Sequence, residues 1–85
     1  KNMNKEKHIV MCHEVNEKGD ISMWAIGTYD TRKDAFNALW SSVNEAIEVA
    51  RNNDDEITID FGANPVVSVR YCGSVTNYKL EVLDA

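Results

Sequence analysis

His8, Cys12 and His13 stand within six residues of one another, and imidazole and thiolate are the ligands zinc prefers. Strand geometry works against a metal site here. Neighbouring side chains of a strand point to opposite faces, which separates Cys12 from His13. His8 and Cys12 share a face but lie ~13 Å apart at ~3.3 Å per residue. No Cys-x-x-Cys or His-x-x-x-His pair starts a site. The same opposition keeps His13 from activating Cys12 as a nucleophile. Ser41-Ser42 falls inside a helical pattern, and no Gly-x-Ser-x-Gly elbow is present. Gly19, Gly27, Gly62 and Gly73 each stand singly, so neither a P-loop nor a dinucleotide fingerprint exists. These residues predict a chain that is not an enzyme, with no metal and no cofactor. A small enzyme or ligand carrier built on Cys12 or His13 with a distant partner is the minor alternative.

The acidic residues suggest recognition instead. Asp54-Asp55-Glu56 follows the negative end of a helix, where acids are electrostatically disfavoured. With Glu45, Glu48 and Asp60 nearby, the segment reads as a docking surface for a basic partner, a nucleic-acid-binding protein included. An ordinary solvated loop is the competing reading. The chain itself carries a net charge of −5 and a pI near 4.8, which argues against direct contact with a phosphate backbone. Tyr71 and Tyr78 could stack on bases, but the strand pattern places them on an apolar, core-facing side.

The elements that position these residues follow from periodicity. Lys1–Lys7 is polar and reads as a frayed terminus or expression remnant, with Met3 a candidate start. Residues 8–85 fit a single domain. Strands are expected at 8–15 and 21–29, joined by the Gly-containing loop Asn16–Asp20. Thr31 is placed to cap a helix over 31–52, with Asp34 completing a variant capping box and Asn52-Asn53 supplying a left-handed exit. Ala35, Phe36, Leu39, Trp40, Val43, Ile47 and Ala50 form its apolar stripe. Strands follow at 56–61, 66–72 and 75–83. The last two form a hairpin about Gly73-Ser74, with Cys72 opposite Val75.

The order ββαβββ predicts an α+β two-layer sandwich: one antiparallel sheet with one helix on one face. In the last hairpin one face carries Val67, Val69, Tyr71, Thr76, Tyr78, Leu80 and Val82, and the other is polar. In the first hairpin, Ile9, Met11, His13, Val15, Ile21, Met23, Ala25, Gly27 and Tyr29 form the more apolar face, which the helix is expected to cover. That leaves Val10, Cys12, Trp24 and Ile26 as an exposed patch centred on a tryptophan. Such patches mark interaction surfaces. The expected partner-binding residues are therefore Val10, Cys12, Trp24 and Ile26, together with Asp54, Asp55 and Glu56.

Two cysteines are too few for a disulfide scaffold. Cys12 and Cys72 are read as reduced thiols of a cytoplasmic protein, a single bridge between them being the alternative. No apolar run reaches the length of a transmembrane span, and no signal peptide pattern opens the chain.

The segment Tyr29-Asp30-Thr31-Arg32-Lys33-Asp34-Ala35 resembles a strand-to-helix junction common in small proteins of bacteriophages and other mobile elements. The short, acidic α+β chain is similar to them in general character. That resemblance implies an inhibitor of a host protein, defence systems included. The expected function is thus a non-enzymatic protein-binding module, with another protein, a second copy, or both as partner. A self-associating structural or regulatory domain is the alternative.

Overall fold

The computed structural model describes residues 6–53, 56–62 and 66–83. Its elements are β1 (Lys7–Val15), β2 (Ile21–Tyr29), α1 (Arg32–Asn52), β3 (Ile57–Gly62), β4 (Val66–Tyr71) and β5 (Ser74–Leu83). The five strands form one antiparallel sheet in the order β2-β1-β5-β4-β3, with α1 packed on one face. This is the expected two-layer α+β arrangement in the order ββαβββ. Lys7, expected in the frayed terminus, is instead the first residue of β1, where it pairs with Leu83 and forms an ion pair with Asp30.

The sheet order explains the length of the helix. β2 lies at one edge and β3 at the other, so α1 must carry the chain across the whole sheet. Four inter-strand steps span roughly 19 Å. A helix of 21 residues is ~32 Å long, enough to cross diagonally. Thr31 caps it by accepting a hydrogen bond from the Asp34 N–H at 3.1 Å. Its end differs from expectation. Asn53 has φ −97°, not a left-handed conformation. Its N–H donates to the Val49 and Ala50 carbonyls, and its side-chain amide donates to the Tyr71 hydroxyl at 2.9 Å. A side-chain tether to β4 ends the helix where a left-handed residue was expected.

The first hairpin is closed by Asn16, whose side-chain oxygen accepts from the N–H groups of Lys18 and Asp20. The last hairpin turns one residue earlier than expected. Tyr71 pairs with Ser74, and Cys72-Gly73 forms the two-residue turn with φ +53° and +79°. Two positive φ values define a type I′ turn, which matches strand twist. Moving the pairing by one residue on each strand preserves the alternation, so the expected faces hold. Gly73 also lies against the first hairpin: an added Cβ would meet Glu17 Cβ at 3.1 Å.

The face of the first hairpin is the main correction. Val10 and Cys12 are fully buried beneath α1, not exposed on the open face. β1 pairs with β5 so that Val10 lies opposite Leu80, and Cys12 opposite Tyr78. Since β5 turns Tyr78 and Leu80 toward the helix, β1 must turn Val10 and Cys12 the same way. A bulge then redirects the end of β2: Val10 pairs with Gly27, while Met11 pairs with Ala25. Beyond it Gly27 and Tyr29 join the helix side. Tyr29 folds its ring over Gly27, where a Cβ would stand 2.6 Å from the phenol oxygen.

The core comprises Val10, Cys12, Ala35, Leu39, Val43, Val67, Val69 and Tyr78. Phe36 was expected at its centre but sits at the rim, 36% exposed, with its ring edge-on to Trp40 at 6.1 Å. Trp40 in turn meets Phe61 at 5.8 Å. Leu39→Ala should therefore cost ~2–5 kcal/mol, while Phe36→Ala, at a side chain already about a third in solvent, should cost about 1–2 kcal/mol. Urea denaturation of both variants measures the difference; equal losses would contradict this core.

Candidate functional site

One transverse row of side chains locates the site. On the helix side, Phe61, Val67, Tyr78, Cys12 and Trp24 lie opposite one another across β3, β4, β5, β1 and β2. The three central residues are buried. The terminal two are 69% and 42% exposed, because α1 packs over the middle strands. At the β2 end, this leaves an open cleft of about 480 Å³ between the strand and the helix. Cys12, Trp24 and Ile26 line it from the sheet, with Ser42, Glu45, Ala46 and Val49 on the helix and Tyr78 behind.

Burial raises both titratable groups at the inner wall. The Cys12 thiol is pushed up to about 11 by burial, helped by the charge of Glu14. The Tyr78 phenol is pushed up to about 12 by burial, then by Cys12, Glu14 and Glu45. Both are protonated at neutral pH, so Cys12 is a poor nucleophile there. Cys12 and Cys72 are not bridged.

The edge strand beside the cleft is unusual in composition. β2 reads Ile-Ser-Met-Trp-Ala-Ile-Gly-Thr-Tyr, without one residue charged at neutral pH and without proline. Among the described residues it pairs only with β1. Edge strands are ordinarily protected by charges, proline, bulges or covering elements, and of these β2 has the bulge between Ala25 and Gly27. β3, at the other edge, carries Asp60.

The second face of the sheet is open. Ile21 and Met23 are 64% and 61% exposed there, next to Met11 and Val15 of β1. A polar row crosses the same face from Asp60 through Ser68 and Asn77 to His13, which lies opposite Met23. The Ser68 hydroxyl donates to the Asn77 side-chain oxygen, and Asn77 Nδ2 lies 3.4 Å from His13 Nδ1. The serine is thus committed to an amide, and an asparagine separates it from the imidazole. His13 faces this open side, whereas Cys12 faces the helix. Among the described residues, no group of three His, Cys, Asp or Glu could hold a metal ion, and no helix is long and apolar enough to cross a membrane.

Of the expected partner-binding residues, Cys12, Trp24 and Ile26 come together in the cleft, with Trp24 the most exposed. Val10 lies beneath the helix. Glu56 is exposed, while Asp54 and Asp55 lie outside the described residues. Sequence reading missed the helical wall. Glu45, which is exposed, was read only as a neighbour of the Asp54-Asp55-Glu56 docking surface, and Ser42, Ala46 and Val49 received no role. Their spacing of four and three is a short second stripe beside the core stripe. No protein family matches the chain, and no curated protein or solved structure is similar to it.

Raised acid groups fix the sign of an alkaline effect. The ordinary values are 9.0 for the thiol and 10.0 for the phenol. Above these, the unfolded chain loses protons that the folded chain retains, so stability falls with pH. Urea midpoints should therefore decline between about pH 9 and 12. Cys12→Ala should flatten the lower part of that decline. A wild-type profile level through this window would contradict the buried thiol and phenol.

Proposed function

We propose that the protein is a non-enzymatic binding module that holds another protein by adding an extended segment of it to the outer edge of β2. The observation that carries this reading is the nine-residue edge strand with no charge, no proline and no covering element among the described residues. Such an edge offers a row of main-chain donors and acceptors to an incoming strand. Each main-chain hydrogen bond is worth a net ~0.5–1.5 kcal/mol, so affinity comes from several formed together. The adjoining cleft supports the reading by offering a place for alternate side chains. A module of this kind inhibits its partner when the captured segment is one the partner needs, which is the form the inhibitor expectation takes here.

Self-association is the second reading. The open face favours it: Ile21, Met23, Met11 and Val15 adjoin Lys79 and Glu81, which neutralise each other at 3.1 Å, so two acidic chains would meet there without strong repulsion.

Selection from a displayed library of random linear peptides tests the proposal. Selected peptides should slow hydrogen exchange of the β2 amides at least tenfold. The variant Met23→Lys/Ala25→Lys, shown to be folded by circular dichroism, should lose them. Protection confined to another surface would overturn strand addition. A stable dimer in sedimentation, dispersed by the same two lysines, would favour self-association.

A further inference from the structure

We infer that the cleft between α1 and β2 receives a cation on an apolar stem, an arginine or lysine side chain of the segment added to β2. The inference deepens the strand-addition reading and rests on it for how the side chain arrives. In an added strand, the residue opposite Trp24 projects to the same side of the sheet as Trp24. That side is the cleft.

The lining selects the chemistry. Trp24, Ile26, Ala46 and Val49 give an apolar surface, against which the methylenes of a long basic side chain can lie. The exposed indole of Trp24 offers a π face to a cation. Glu45 supplies the charge. Of the neighbouring carboxylates, Glu48 pairs with Arg51 at 3.0 Å, and Glu14, which also acts on Cys12 and Tyr78, does not line the cleft. Among the described residues no cation pairs with Glu45. Its charge reaches into the cleft far enough to act on the Tyr78 phenol.

The same features argue against a second copy as the occupant of this edge. β2 carries no basic residue, so a β2–β2′ pairing would leave both Glu45 side chains without a counter-charge. An acidic segment would meet repulsion from Glu45. A purely aliphatic side chain would fill the floor but leave the carboxylate unpaired. The occupant is a basic, otherwise strand-forming segment of a different protein.

The test uses n-butylguanidinium chloride, the arginine head and stem without a peptide. Titrated at millimolar concentration into isotope-labelled protein, it should shift the indole N–H resonance of Trp24 and leave that of Trp40 in place. Pentanoate, with a similar stem and the opposite charge, should shift it at least tenfold less at equal concentration. Glu45→Gln should weaken butylguanidinium binding at least tenfold, and Glu48→Gln should leave it unchanged. Equal effects of the two probes, or an unaltered response in Glu45→Gln, would overturn the cation pocket. The outcome is separable from strand addition. Selected peptides that protect β2 but tolerate arginine-to-glutamine replacement would overturn this inference only. Butylguanidinium binding at Trp24 without any peptide protecting β2 would overturn strand addition only.

Discussion

Everything in this structure depends on one helix having to cross a five-stranded sheet from edge to edge. β2 and β3 are the outermost strands, and α1 is the connection between them. A single helix ~10–12 Å wide with its side chains cannot cover a sheet roughly 19 Å across. Burial is therefore complete over the central strands and incomplete at the margins. The row from Phe61 to Trp24 shows this directly, with buried Val67, Tyr78 and Cys12 between two exposed aromatics. The margins differ in how they are finished. At β3, Phe61 is partly covered by Trp40, which also meets Phe36. At β2, Trp24 faces small helical residues, Ser42 and Ala46, and the space between remains open.

Much of this was legible in the sequence. Alternation located β1 to β5 to within about a residue, and Thr31 marked the start of α1. The apolar faces of β4 and β5 survived even an error in the turn, because shifting both strands by one residue leaves each side chain on its original side. The face of the first hairpin was not legible, for two physical reasons. Its orientation is set by pairing with β5, 64 residues away for His13 and Asn77, and nothing local reports which strands become neighbours. The bulge before Gly27 also breaks the period of two, so that counting apolar residues along β2 mixes both faces. The small Ala25 and Gly27 belong to the face that the helix was expected to cover. Val10 and Cys12, small and fully buried, lie beneath it instead.

The candidate site was half visible for the same reason. Trp24 and Ile26 stood out by residue type, and the structure keeps both beside the opening. Glu45 was read only as one more acid near Asp54-Asp55-Glu56, and it is exposed, as a helical glutamate usually is. Its significance comes from position: it borders an apolar cleft, and the described cations are placed elsewhere. Asp54, Asp55 and Glu56 attracted attention as a run, whereas the proposed role of Glu45 rests on one carboxylate beside an apolar floor.

The two surfaces that α1 leaves bare have different chemical characters, and this separates what each can bind. The open sheet face mixes exposed Ile21 and Met23 with a hydrogen-bonded polar row and an internally neutralised Lys79–Glu81 pair. It presents apolar area among dispersed charges, Asp60 and Arg70 included. The β2 edge presents unpaired main-chain groups in register with a cleft that holds an indole and a carboxylate. Flat area can bind any complementary surface and gives little discrimination. An edge with a charged pocket at a fixed position along it discriminates by register, since sliding the added strand by one residue sends every side chain to the other face. On the proposed reading, a partner held there must match the strand, the spacing and the sign of charge together, and that conjunction would make β2 and its cleft the more selective surface of the molecule.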